Sequence, residues 1–280
     1  MISILIPVFN QDITRLARDV SAQINDGELI IMDDGSAPRW TAINKTIAQL
    51  PRVRYIENGV NQGRVKIRQL LAQEARYDWL LFIDGDSAII SENFLLQYRL
   101  PPAPSVIVGG RIYAKTAPED CLLHWKYGSA REKPGSAAFM SNNFLVHKSI
   151  FNQLVFTHHL DGYGHEDTWI GIQLEKMQVP VEYINNPVLH DGLETTPVFL
   201  AKSEKALHNL NRLQQLVPVD VLKKHVKLYR VYHRLRSLHL LWLPGLLQKQ
   251  IIKNLHSSNP NLWCFDVYRL VLFINIVNPR

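Results

Sequence analysis

Through its first 85 residues the chain alternates four short strand-like runs with three segments of helical spacing, each run closed by a polar break. Residues 2–8 (ISILIPV) form the first run, and 12–24 follow with Ile13, Leu16, Ala17, Val20 and Ile24 on one face. Residues 28–32 form the second, closed by Asp33-Asp34-Gly35-Ser36. A helix with Ser36 at its cap and Pro38 in its first turn is expected to run to about residue 50. Residues 53–57 make a third strand, Asn61-Gln62-Gly63 a loop, and 64–76 the next helix. The fourth run, 80–83, stops at Asp84-Gly85-Asp86-Ser87. Runs without polar alternation are strands buried on both faces, and strand–helix alternation is the signature of a parallel sheet with right-handed crossovers.

The pattern loosens afterwards. A helix is expected near 91–98, a strand over 106–113, a long loop over 115–135, and a strand over 137–147. Asp161-Gly162-Tyr163-Gly164 reads as a flexible lead into a helix over 166–177, and strands over 181–185 and 188–190 close the sheet. From about residue 197 helical segments dominate. The division expected is a domain over 1–196 and a helical, basic extension over 197–280. Residues 221–256 contain Lys223, Lys224, Lys227, Arg230, Arg234, Arg236, Lys249 and Lys253 and no acid, interleaved with Leu238, Leu240, Leu241, Trp242, Leu243, Leu246 and Leu247. Such a segment suits a helix lying on an anionic membrane surface, and equally a helical cap packed on the main domain.

With 280 residues, 46% of them hydrophobic, the chain is long enough for one large α/β domain with an appendage. Two cysteines, Cys121 and Cys264, make neither metal-ligand spacing nor a disulfide framework. No basic leader precedes the first strand and no apolar run reaches the roughly 18–20 residues of a membrane span, so a cytoplasmic protein, peripheral at most, is expected. The net charge of +6 biases it modestly toward anionic partners, with nucleic acid not expected among them.

Asn10, Asp33-Asp34 and Asp84-Asp86 all follow strands, and in a parallel sheet they fall on the edge where ligands bind. Asp84 and Asp86, two apart, point the same way and can share a divalent cation. Asp34 or Asp33 is placed to bond a base or ribose, and Arg68 to reach a phosphate. Glu166 and Asp167 are candidate general bases, and helical phase does not choose between them. Trp169, one turn on, is a sugar-stacking or a core residue. Ser141-Asn142-Asn143 and Gly109-Gly110-Arg111 are further strand-end candidates.

Six motifs in order, IPVFN, IIMDDGS, NQGRVKIRQ, LLFIDGDS, GYGHEDTWIG and His190, resemble the inverting family 2 glycosyltransferases of GT-A fold, over roughly residues 2–195. The resemblance implies a Rossmann-like, mostly parallel central sheet flanked by helices, with the C-terminal helices as an extension. By it Pro7, Phe9, Asp34, Arg68 and Asp84 hold the nucleotide. Asp86, with His190 and Asp84, ligates Mn²⁺ or Mg²⁺. Asp167 is the base and Glu166 binds the acceptor. The implied substrates are a nucleotide-sugar donor, UDP-linked by expectation, and a glycan or glycolipid acceptor of cell-surface polysaccharide. This sequence departs from the family where Ile67-Arg68-Gln69 stands for Ala-Arg-Asn, and Phe9 for a common Tyr. The rival classes are a nucleotidyltransferase, for which the first turn lacks a Gly-rich phosphate loop, and a non-catalytic nucleotide-sugar-binding module.

Overall fold

The computed structural model describes residues 1–132, 139–156, 163–242 and 248–279. Two compact units are formed by packing, the first from Met1–Ala114, Glu132–Phe156 and Leu174–Gly192, the second from the described parts of Lys115–Arg131, Thr157–Gln173 and Leu193–Arg280.

The first unit contains β1 (Ile2–Val8), β2 (Gly27–Asp33), β3 (Val53–Glu57), β4 (Trp79–Ile83), β5 (Ser87–Ala88), β6 (Val106–Val108), β7 (Arg111–Ile112), β8 (Asn143–His147), β9 (Val181–Tyr183) and β10 (Val188–His190). Seven of these make one sheet in the order β3-β2-β1-β4-β8-β6-β9. The first four strands are mutually parallel, and β8 runs antiparallel to both β4 and β6. Ile4, Ile6 and Val8 face the helix α1 (Thr14–Ser21) and pack with Leu16, Ala17 and Val20. Strand residues of opposite parity point the other way, where Phe82 stacks on Phe144 and Phe151 and where α3 (Arg64–Glu74) packs on β1 and β2. With both faces covered, the central strands read as unbroken apolar runs.

Register fixes the ligand edge. Val8 is level with Asp33, and Leu5 with Phe82, so Asp84 arrives beside Pro7. A side chain on Gly85 would come within 3.0 Å of the Pro7 carbonyl, which glycine avoids.

Several expectations are corrected. The helix over 38–50 divides into α2 (Pro38–Asn44) and a 3₁₀ turn (Lys45–Gln49), and its cap is Ala37 rather than Ser36. The helix near 91–98 is a 3₁₀ turn, Leu95–Gln97. The strand over 106–113 breaks at Gly109-Gly110, where φ of Gly110 is +81°, and its halves join different sheets. The strand over 181–185 ends at Tyr183, at the sheet edge, while β10 does not close that sheet. It lies between β5 and β7 in a separate three-stranded sheet. The strand over 137–147 starts at Asn143, and residues 137 and 138 lie outside the described residues.

Within the expected loop over 115–135 stands α4 (Leu122–Arg131), in the second unit; residues 133–135 lie outside the described residues. Its buried face is Leu123, His124, Tyr127 and Gly128 rather than a leucine stripe, with His124 stacked 4.5 Å from Phe199. Later in the first unit comes α5 (Lys148–Phe151), and α6 (Glu166–Lys176) follows, its residues up to Gln173 in the second unit. The C-terminal helices are α7 (Thr196–Leu216), α8 (Val219–His225), α9 (Lys227–Ser237), α10 (Gln248–Leu255) and α11 (Leu262–Val277). Leu207, Leu210 and Leu213 of α7 pack with Leu222, Tyr229, Tyr232 and Phe273, while Phe199 and Leu200 pack with Leu123, Ile251, Leu255 and Phe265. Trp169 packs against the first of these clusters, as a core residue does. Of the sequence expectations, Asp161, Gly162, Leu243, Leu246 and Leu247 lie outside the described residues.

Candidate functional site

At the end of β2 two carboxylates brace the turns around them. Asp33 Oδ1 accepts from the Ser36 amide (2.7 Å) and Oδ2 from the Tyr55 hydroxyl (3.2 Å). Asp34 accepts the Gln62 amide on Oδ1 (2.7 Å) and the Gly63 amide on Oδ2 (2.9 Å). Burial raises the Asp34 pKa, against those two hydrogen bonds. The Asn61-Gln62-Gly63 loop is thereby tied to β2 and α3 starts from a fixed point. Gly35 has no room for a side chain, since one would meet the backbone of Val60 and Asn61 within 2.7 Å. Asn10 and Ser36 brace each other's turns: the Asn10 amide donates to Ser36 Oγ (2.7 Å), and Asn10 Oδ1 accepts from the Ala37 amide (2.8 Å). Phe9, 50% exposed just past β1, presents an open ring at this edge, beside half-buried Pro7.

After β4, Asp84 is gripped by two arginines of α3. Arg68 Nη2 donates to its Oδ1 (2.5 Å) and to the Ser141 carbonyl (3.0 Å), and Arg64 Nη2 donates to its Oδ2 (3.1 Å). The Arg68 side chain is 7% exposed, that of Arg64 45%. Arg68, expected to reach a phosphate, is thus committed to Asp84, and Arg64 is the accessible cation. The sequence reading passed over Arg64, although it stands four residues before Arg68 on the same helical face. Asn142 adds a brace: its carbonyl accepts the Asp84 amide (2.9 Å). Asn142 and Asn143, read as strand-end ligand candidates, are buried and donate through their Nδ2 atoms to the Gly110 carbonyl.

Asp86 is brought to His190 by strand pairing. Ser87 of β5 is level with His190 of β10, and the Asp191 amide donates to the Asp86 carbonyl (2.8 Å). Asp86 Oδ1 lies 3.7 Å from His190 Nδ1. Gly192 leaves room for it, since a Cβ there would come within 2.8 Å of the Asp86 carboxylate. Burial alone would raise the Asp86 pKa; the His190 ring, Arg111 and Arg64 outweigh it and hold the carboxyl well below its ordinary range. Among the described residues no three His, Cys, Asp or Glu side chains converge as a metal cage. Asp86 and His190 do supply an oxygen and a nitrogen together, and hard divalent ions are commonly held by one or two carboxylates, with substrate phosphate and water completing the shell. The donor set therefore fits a cation that arrives with a diphosphate.

Three further groups surround this pair: Arg111, Tyr113 and Glu132. Tyr113 Oη donates to Glu132 Oε2 (2.5 Å), Arg111 Nη1 lies 3.6 Å from the same oxygen, and the Tyr113 ring meets His190 edge-on at 5.2 Å. Tyr113 and Glu132 went unnoticed in the sequence, because nothing local marks a residue 19 positions away as a partner.

The Glu166-Asp167 segment belongs to the second unit. Gly164 (φ +104°) passes so close to Ala206 of α7 that a side chain would collide, and Asn209 Nδ2 donates to the Tyr163 (3.3 Å) and Gly164 (3.1 Å) carbonyls. Glu166 Oε2 accepts the Gly164 amide (2.8 Å), so this carboxylate fastens its own loop. The carboxylate of half-buried Asp167 makes no hydrogen bond or ion pair among the described residues. His165 (φ +66°) sets its Nδ1 3.2 Å from Thr168 Oγ1, and burial and then Arg269 push its pKa down to about 3, leaving the ring neutral at pH 7.

The profile of glycosyl transferase family 2 matches residues 3–158, more than half of the chain, and stops before Glu166, Asp167 and His190. Two uncharacterized glycosyltransferases of Haemophilus influenzae are 32% and 33% identical, over 36% and 33% of this chain. The matched stretches span 44% and 32% of those relatives' own lengths. Among solved structures, a mannosyltransferase from Pyrobaculum calidifontis in complex with GDP-Man and Mn²⁺ superposes with a TM-score of 0.64 at 10% identity, over 97% of this chain and 85% of that one. Glucosyl-3-phosphoglycerate synthase from Mycobacterium tuberculosis, solved with Mn²⁺, UDP and glucosyl-3-phosphoglycerate, gives 0.52 at 16% identity, over 76% and 79%. At these identities the structures speak for the fold, which is the GT-A arrangement expected from the motifs. The family match does not favour a nucleotidyltransferase. Sheet order, strand-end carboxylates and matched profile agree, and the chain belongs to glycosyl transferase family 2.

Proposed function

We propose that this glycosyltransferase moves a sugar from a nucleotide-diphosphate donor, UDP-linked by first expectation, to a glycan or glycolipid acceptor of cell-surface polysaccharide, with inversion and with a divalent cation. The observation that carries the reading is the Asp86–His190 pair, 3.7 Å apart at the ligand edge of the sheet. Phe9 stacks on the base and Pro7 lines its seat. Asp34 fixes the Asn61-Gln62-Gly63 loop and bonds base or ribose through its remaining lone pairs, since each carboxylate oxygen accepts more than one donor. Asp84, steadied by Arg64 and Arg68, contacts ribose or cation. Mn²⁺ or Mg²⁺ held by Asp86 and His190, with Asp84 adjoining, would act as a Lewis acid toward the leaving diphosphate.

An acceptor hydroxyl is too weakly acidic to ionise at pH 7, so a carboxylate must take its proton as the bond to the anomeric carbon forms. Asp167 is assigned that role because its carboxylate is unengaged among the described residues, whereas Glu166 already accepts a backbone amide and is left to bind acceptor. Single displacement needs one base and no covalent intermediate.

Residues 1–196 are assigned to donor binding and catalysis, and 197–280 to the helical extension. Two readings of the extension are compatible. The inner face of α9 packs Tyr229 and Tyr232 into the core, while its outer face exposes Lys227, Arg230, Val231 and Arg234, followed by Leu238 and Trp242, the last 61% exposed. Cations mixed with exposed Leu and Trp suit an anionic lipid surface. Among the described residues no helix is long and apolar enough to cross a membrane, so peripheral contact is the form proposed.

The test is a panel of UDP-, GDP- and CDP-linked sugars, scored for hydrolysis with and without Mn²⁺. One donor hydrolysed only with the cation is expected; equal hydrolysis with a chelator would overturn the cation dependence.

A further inference from the structure

The backbone leading into Arg111 is held from several sides. A side chain on Gly109 would collide with Tyr98 Oη, Asn143 Nδ2 and Asn186 O. The Gly110 carbonyl accepts from Asn142 Nδ2 (3.3 Å), Asn143 Nδ2 (3.1 Å) and the Val188 amide (3.2 Å). Three donors fix this corner, and the next residue is Arg111, level with Val188 on the strand that carries His190. Its side chain is 17% exposed. At 3.6 Å its approach to Glu132 is an ion pair too long for a hydrogen bond, and Glu132 takes its bond from Tyr113 instead. The Arg111 Nε is buried with no hydrogen-bond partner among the described residues. A guanidinium N–H that is buried and unmet is costly unless something supplies an acceptor.

Position says what that something is. Arg111 stands in the field of both Asp84 and Asp86. A bare cation arriving at Asp86 would meet the repulsion of this arginine, whereas a diphosphate would relieve it and satisfy the open donor. Resting on the donor reading above, we propose that Arg111 binds the diphosphate of the nucleotide-sugar donor and thereby makes cation binding depend on the diphosphate. Such coupling between two ligands is reciprocal.

Calorimetry on the full-length chain tests this with three titrants: Mn²⁺ alone, UDP or GDP in Mn²⁺, and the matching nucleoside. Arg111→Met is expected to weaken the nucleoside diphosphate about 10- to 100-fold and leave the nucleoside within about twofold. Mn²⁺ alone should bind severalfold more tightly. Arg111→Lys keeps the charge but loses the planar fork, so it should leave Mn²⁺ alone unchanged and weaken the diphosphate in part. If the methionine variant fails to fold, the lysine variant decides by the same diphosphate-to-nucleoside ratio. Equal weakening of nucleoside and diphosphate, or no weakening, would overturn the assignment while the donor reading survives. A wild-type chain that binds neither UDP nor GDP would overturn both.

Discussion

The carboxylates at the strand ends and those at the start of α6 are built on opposite plans. Asp34 and Asp84 sit at the ends of buried strands, and every carboxylate oxygen already accepts a donor. Asp86, at 3.7 Å from an imidazole and flanked by arginines, is held in its charged form. Asp167 stands in the first turn of a helix with no partner among the described residues, on a loop fastened by Glu166, Gly164 and Asn209. Anchored, neutralised carboxylates suit fixed binding of a charged ligand. An unengaged carboxylate on a fastened loop suits taking up a proton. The proposed division between donor binding and proton transfer rests on that contrast among residues of one type.

Variants break or sharpen that contrast. Arg68→Met should cost the most in stability, about 3–5 kcal/mol, because it leaves Asp84 short of its most buried partner; denaturant unfolding would read this, and a loss under 1 kcal/mol would mean that Asp84 does not depend on Arg68. Asp167→Asn should behave in the reverse way. Stability and donor affinity should stay near wild type, since no partner is lost, while turnover drops about 100-fold. Turnover that survives would transfer the base to Glu166. Smallest is the effect of Arg234→Gln on the outer face of α9, about 1 kcal/mol or roughly fivefold in partition to anionic vesicles. Sedimentation insensitive to this change would leave α9 as a packed helix alone.

How much of this was legible in the sequence follows from how local each feature is. Strands β1, β2 and β4, and the acidic residues after β2 and β4, could be read because strands covered on both faces leave unbroken apolar runs, ended by turn-forming Asp and Gly, whereas β3 is a half-buried edge strand with Arg54 and Glu57 in it. Helix α4 was missed because aromatic and small residues, not a leucine stripe, make its buried face. Strand partnership was hidden too: three residues, Val188–His190, cannot declare whether they pair with the main sheet or with β5 and β7. Asp86 and His190 stand 104 positions apart and meet only through that pairing. Glu132 comes to Arg111 the same way, by packing that no spacing encodes.

The central claim is that Asp86 and His190 hold the cation accompanying a nucleoside diphosphate, and nucleotide calorimetry with and without Mn²⁺ tests it most directly. Wild type should bind the nucleotide at least 10-fold more tightly with Mn²⁺, and Asp86→Ala should erase that difference while keeping the metal-free affinity. A variant that retains the full Mn²⁺ enhancement would contradict the assignment.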